Sequence, residues 1–189
     1  MPDRIPSGTR DVLPDEMREL RALTERIRAV FERLGLRSEV KGKDVIVPAN
    51  QELRIRNDAG DHQPKVEDGP WPMFPADLTS IALALATQSE GSVMIHEKMF
   101  ENRLFFADKL QLLGAAITIC DPHRAIVNGP RRLHGARVES PDIRAGMAML
   151  IAALCADGIT EIGNVRHLDR GYERIDERLR ALGASIERI

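Results

Sequence analysis

The sequence predicts an α/β protein in which charged helices lie outside, apolar helices lie inside and sheets run between them, all built from an internal repeat. Three observations carry that expectation. The stretches FERLGLRSEV (31–40), LQLLGAAITI (110–119) and LRALGASIER (179–188) share one plan: the end of a charged amphipathic helix, Leu-Gly, then an alternating strand. Upstream of two of them, DLTSIALALATQSEGSVMI (77–95) and DIRAGMAMLIAALCADGITEI (142–162) each read as Asp, a nearly all-apolar helix, an acidic-Gly stop and a short strand. Finally, Arg103 follows Gly91 by 12 residues and Arg170 follows Gly158 by 12, so both arginines fall between a strand and an outer helix.

Taken in order, the chain opens with one long helix over roughly Pro14–Leu34, whose ELRALTERIRAVFER portion repeats apolar residues at three-and-four spacing. Gly35, Gly114 and Gly183 stand where a left-handed helix cap is expected, since only glycine takes positive φ without strain. KDVIVP (43–48), LRIRN (53–57) and AIVNG (125–129) read as hairpin strands, and the polar NDAGDHQPKVEDGP (57–70) as a loop. Gly69-Pro70-Trp71-Pro72 is a stiff, extended entry to the next unit. The helices after Asp77 and Asp142 are apolar all round and therefore buried. RLFFADKLQL and YERIDERLRA are the outer helices, each followed by a Gly and a strand. The first repeat is incomplete, because no apolar inner helix precedes Gly35.

Composition bounds the function. At 189 residues with 43% hydrophobic and 30% charged, the chain can bury a substantial core. Aromatic residues are only 4% and the formal charge is −2, which argues against stacking platforms for single-stranded nucleic acid and against a general polyanion binder. No apolar run reaches the ~18 residues needed to span a bilayer, and MPDRIPSGTRD has no signal-peptide core, so the cytoplasm is the expected compartment. Cys120 and Cys155 show no ligand or disulfide spacing; Cys155, inside AALCADG, reads as a buried packing residue. His96, His123, His134 and His167 are scattered, so no metal is expected. No motif calls for an organic cofactor.

Charge placement singles out a few residues. Arg103 and Arg170 are expected at or before the first turn of a helix, where the macrodipole disfavours a cation, and Arg144 repeats the conflict. A surface arginine paired with the adjacent Glu101 or Asp169 is the plain explanation; an anion site at helix N-termini is the functional one. Asp77 and Asp142 each begin a buried helix, which capping alone explains, although a carboxylate at a cleft mouth could also act as a base.

Taken together these residues resemble the enolpyruvyl transferase family. GPWPMFPADL is similar to its proline-rich PGFPTD segment, and MFENRL, SPDIRA and RHLDRGYERIDERLRALGA to its FENRF, TDLRA and HIDRGYE motifs, in the family's order from about Val40 to Ile189. The wording resembles the branch acting on UDP-N-acetylglucosamine more than its sister branch in the shikimate pathway. The resemblance implies an EPSP synthase-like inside-out α/β domain of βαβαββ repeats, with repeats around 37–68, 69–138 and 139–189. It further implies transfer of enolpyruvate from phosphoenolpyruvate to the 3-hydroxyl of UDP-N-acetylglucosamine in peptidoglycan precursor synthesis. Carried over by motif, Asp77 resembles the carboxylate that contacts, and could deprotonate, the sugar hydroxyl. Arg103, Arg144 and Arg170 resemble the cationic wall facing phosphoenolpyruvate. Met99 falls where the backbone borders the nucleotide sugar, with Glu101 and Asp142 in the same motifs.

The family's lysine-asparagine motif and its mobile cysteine loop have no match, so half of an active site, weakly active or inactive alone, is the expectation. A complementary domain or a homodimer would supply the facing wall. Residues 1–36, by contrast, resemble the start of histidyl-tRNA synthetase-like proteins without their catalytic core. A non-catalytic interaction or regulatory module that keeps the fold is the alternative, and nucleic-acid binding through the first helix ranks last.

Overall fold

A computed structural model of the protein describes residues 14–189; the MPDRI stretch and the rest of the synthetase-like opening before Pro14 lie outside it. Helix α1 (Pro14–Arg33) ends in the expected glycine turn, with Gly35 at φ +94°. Gly114 and Gly183 take φ +99° and +98°. All three turns close with the same pair of bonds: the Gly N–H to the carbonyl three residues back, and the next N–H to the carbonyl five back. They are Leu36 to Phe31 at 2.9 Å, Ala115 to Leu110 at 3.1 Å and Ala184 to Leu179 at 3.0 Å. This satisfies carbonyls that a helix end would otherwise leave unpaired. The inner face of α1 packs Ile27, Val30, Phe31 and Leu34 on the core, with Phe31 edge-on to Phe74 at 6.2 Å between centroids.

After α1 comes an exposed antiparallel hairpin, β1 (Glu39–Lys41) and β2 (Asp44–Ile46). LRIRN does not form the expected strand. Its backbone is taken up by single contacts instead: Ile55 N–H to the Glu90 carbonyl (2.9 Å) and Arg56 N–H to the Arg33 carbonyl (2.9 Å) tie it to two different elements. Conversely, the segment expected to be a loop contains β3 (Lys65–Glu67), whose middle residue Val66 is buried. One apolar side chain between two charged ones gives too short an alternation to stand out from its polar surroundings.

From β3 onward the chain completes one full βαβαββ unit: β3, α2 (Thr79–Ala86), β4 (Gly91–His96), α3 (Ala107–Leu112), β5 (Ala116–Asp121) and β6 (Arg124–Gly129). The four strands form one sheet in the order β3-β4-β6-β5, with β3 parallel to β4 and the other pairs antiparallel. The next unit has β7 (Arg137–Glu139) parallel to β8 (Glu161–Gly163), with α4 (Ile143–Leu154) between them and α5 (Arg166–Asp169) and α6 (Ile175–Ala181) after. The strand expected after Gly183 does not form: the tail pairs with neither β7 nor β8. Arg188 instead pins that tail, at 2.8 Å from Asp169 and 3.2 Å from Asp176.

The two inner helices meet. Helices α2 and α4 pack together, burying Ala82, Leu83 and Ala86 on one and Ala145, Ala148, Met149 and Ala152 on the other. Their small side chains permit close approach, and Ser80 Oγ donates to the Arg144 carbonyl at 3.1 Å. Cys155, the C-cap of α4, is exposed rather than buried, because burial along the helix ends at Ala152.

The glycine turns differ in surroundings, which supplies a test. A Cβ on Gly35 would collide with the backbone of Arg54 and Leu53, whereas one on Gly183 would meet nothing within 4 Å. Gly183→Ala is expected to cost only the left-handed penalty, about 1 kcal/mol. Gly35→Ala should cost about 3 kcal/mol or more, because the backbone must also move. Denaturant unfolding of both variants measures the difference.

Candidate functional site

Of the residues singled out in the sequence, Asp77, Asp142 and Arg144 come together at the starting ends of α2 and α4. Asp142 is the N-cap of α4: its Oδ1 accepts from the N–H groups of Arg144 (2.7 Å) and Ala145 (3.1 Å). Asp77 sits in a 3-10 turn (Ala76–Leu78) leading into α2 and makes no capping bond. Its carboxylate instead accepts from Arg144 Nε at 2.5 Å. The two aspartates therefore diverge: one is consumed by its own helix, while the other crosses to the arginine of the neighbouring helix and remains two-thirds exposed. The ion pair also answers the dipole conflict at Arg144, since the cation in the first turn of α4 is balanced by a carboxylate from α2.

Arg103 opens a 3-10 turn (Arg103–Phe106) after Asn102, which holds a left-handed conformation. It does not pair with Glu101, which is exposed and has no ion-pair partner among the described residues. Its guanidinium lies over the Phe100 ring, 3.6 Å from the centroid, with Nη1 turned inward 3.9 Å from Glu97. That is beyond hydrogen-bond length, and Nη1 is buried with no partner. Arg170, expected ahead of a helix, follows α5 as its C-terminal cap, where the dipole favours a cation. Its neighbour Asp169 is engaged by Arg188, leaving Arg170 exposed and unpaired among the described residues. The Arg170 segment lies against α4: Leu168 packs where a Cβ on Gly146 would sit, and Gly171 abuts Ile143.

Two residues missed in the sequence complete the site. Glu97 is fully buried and neither carboxyl oxygen has a hydrogen-bond partner. Asp68, also fully buried, accepts from the N–H groups of Lys98 (2.5 Å) and Met99 (3.3 Å). The Met99 N–H is thus directed inward, while its side chain is exposed. Burial first, then the neighbouring Asp68 carboxylate, pushes Glu97 up to about 8, against smaller downward pulls from Arg103 and Thr79. Asp68 and Thr79 bias the charge of Glu97 from beside it without meeting hydrogen-bond geometry. The signal was present: in VMIHE the inward parity runs Val93, Ile95, Glu97, and after β3 it runs Val66, Asp68. Parallel pairing of Val66 with Ile95 and Glu67 with His96 brings the two acids to adjacent positions. His123 closes the cluster from the β5–β6 turn, its Nδ1 donating to the Glu97 carbonyl at 2.7 Å.

The site offers the exposed Asp77 carboxylate paired with Arg144, a dry acidic floor beneath Arg103, and the exposed Arg170 beside α4. A complete βαβαββ unit followed by a partial one, with the inner helices of both packed together, is the arrangement of an enolpyruvyl-transferase-type domain. The family model for EPSP synthase (3-phosphoshikimate 1-carboxyvinyltransferase) matches residues 14–179, and the chain belongs to that family.

Among its relatives, the chain is 55% identical over its whole length to a UDP-N-acetylglucosamine 1-carboxyvinyltransferase of Bradyrhizobium diazoefficiens, covering 45% of that protein. Against the enzyme of the same name from Treponema denticola it is 51% identical over 94% of its length, covering 40% of that protein. The chain thus spans less than half the length of these curated relatives. Among solved structures it resembles the enolpyruvyl transferase NikO from Streptomyces tendae, with TM-score 0.77 and 30% identity, over 92% of this chain and 38% of that one. An EPSP synthase from Acinetobacter baumannii, at TM-score 0.52 and 14% identity over 71% of this chain and 31% of that one, shares the fold.

Two stability measurements follow from this geometry. Asp142→Ala should lose about 1 kcal/mol by removing a cap, while Asp77→Ala, which caps nothing, should lose much less; chemical denaturation separates them. Glu97 binds its proton more tightly folded than unfolded, where the ordinary value is 4.5. Its stabilising contribution is therefore complete below about pH 4.5 and is lost as pH rises to about 8. Glu97→Gln should flatten the fall in stability across that window, read from denaturant midpoints at a series of pH values.

Proposed function

We propose that this chain forms one wall of an enolpyruvyl transferase cleft acting on phosphoenolpyruvate and UDP-N-acetylglucosamine, a step in peptidoglycan precursor synthesis. The observation that carries the reading is the Asp77–Arg144 pair, which joins the exposed carboxylate of one repeat to the arginine of the next at 2.5 Å. In the reaction the sugar hydroxyl loses its proton, its oxygen bonds to the central carbon of the enolpyruvyl group, and the bond from that carbon to the phosphate oxygen breaks, releasing phosphate. Asp77, exposed and not used as a cap, is placed to accept the hydroxyl proton. Arg103, Arg144 and Arg170 serve the phosphate and carboxylate of phosphoenolpyruvate, supplying charge without exchanging protons. Glu101 and the Met99 segment border the nucleotide sugar, and Asp142 holds Arg144 in place through the first turn of α4.

Half of the anion cage lies elsewhere, so the chain acts with a complementary domain or a second copy that supplies the facing wall. The division at about residue 36, between the synthetase-like opening and the repeats, belongs to the same proposal, as does a cytoplasmic location, where charged nucleotide sugars are retained by the membrane. The expected outcome is saturable but weak binding of both ligands by calorimetry, reduced at least tenfold by Arg144→Ala, with little phosphate release from the chain alone. Absence of binding at millimolar ligand would favour the non-catalytic module that keeps the fold. Full family-like turnover by the chain alone would sink the half-site reading.

A further inference from the structure

Transfer chemistry needs neither Glu97 nor Asp68, yet these two acids occupy the driest part of the site. Glu97 and Arg103 face each other at 3.9 Å, and the atoms that face, Glu97 Oε1 and Arg103 Nη1, are both buried and without hydrogen-bond partners. The gap is too long for a hydrogen bond and too enclosed for bulk water to screen. A charge on Glu97 would therefore act on Arg103 with much of its strength intact.

The surroundings allow the side chain of Arg103 to respond while its backbone stays fixed. Asp68 grips the N–H groups of Lys98 and Met99, the Glu97 N–H donates to the His123 carbonyl at 2.8 Å, and the Asn102 N–H donates to the Pro122 carbonyl at 3.2 Å. What remains free is the guanidinium lying over Phe100. Facing Glu97 are Asp68 beyond β3, Thr79 from the first turn of α2 and Arg103 from the turn before α3. His123 from the β5–β6 turn bonds the Glu97 main chain, and Lys98, next in sequence, is turned to Glu67 at 2.9 Å.

We infer that Glu97 is a proton-dependent positioning residue for Arg103. Protonated, it leaves the guanidinium charge available to an anion at the cleft; ionised, it draws Arg103 into a buried ion pair and away from that anion. The inference rests on the reading of Arg103 as a ligand for phosphoenolpyruvate. Burial and the Asp68 carboxylate, which hold the Glu97 proton up to about pH 8, keep the site in its anion-accepting state at neutral pH.

The test is calorimetric binding of phosphoenolpyruvate to the full chain and to Glu97→Gln from about pH 7.5 to about pH 9.5, with sulfate as a probe of constant charge. The wild-type affinity should fall by up to about tenfold per pH unit above 8, as one proton is lost. Glu97→Gln should keep its neutral-pH affinity throughout. A wild-type profile that is flat, or that runs parallel to that of Glu97→Gln, overturns the inference. The Arg103 Nε–H resonance of the ligand-free wild type provides a readout that needs neither ligand nor variant. It should shift with a midpoint near 8, and a resonance that does not move over this range also overturns the inference. A moving resonance with no binding at any pH would sustain control of Arg103 by Glu97 and remove instead the anion role proposed for Arg103.

Discussion

The contact on which the rest of the structure depends is the packing of α2 against α4. Both helices are largely apolar and bury most of their residues, so each needs the other as cover. Small residues along both let them lie side by side, and the Ser80 to Arg144 carbonyl bond fixes their register at the starting ends. Once that pair is set, Asp77 and Arg144 are brought within bonding distance although 67 positions separate them in sequence. The sheets and outer helices then cover what remains. The candidate site is thus a by-product of core packing: two buried helices from consecutive units that start side by side place their first turns together.

The large-scale plan was legible in the sequence because it rests on strong periodic signals. The glycine turns at 35, 114 and 183 form where they were expected, and an apolar helix lies in each of the two segments that begin at Asp77 and Asp142. Short strands did not. Three-residue β3 carries a single buried side chain, too little alternation to distinguish it from turn-rich sequence. LRIRN alternates convincingly, yet its bonding groups are drawn to α1 and to the segment before β4, a tertiary demand that no local pattern reveals.

At the site, Asp77, Arg103 and Arg170 were visible by their motifs, and Arg144 by its motif and by its conflict with the helix dipole. The different fates of the two aspartates were not, since both present the same N-capping signature. Glu97 and Asp68 were concealed for the opposite reason. Asp68 lay inside a segment expected to be a loop and Glu97 was not singled out, whereas the parity of the neighbouring strand assigns each to the interior. An acid in the inward register of a strand is a signal worth reading, because burying it has a cost that a purely structural role does not explain.

The three repeats are unequally furnished. The middle one has all four strands in one sheet, the first contributes a helix and an exposed hairpin, and the last has two paired strands and an unpaired tail. Cooperativity should be graded accordingly. The middle repeat joins neighbours mostly by short connections and closes its own sheet, so it is the segment best able to form early and to stay closed while the ends open. The segments that open first are then the β1–β2 hairpin on one side and the tail after Gly183 on the other, while α4 stays with the middle sheet through its packing on α2.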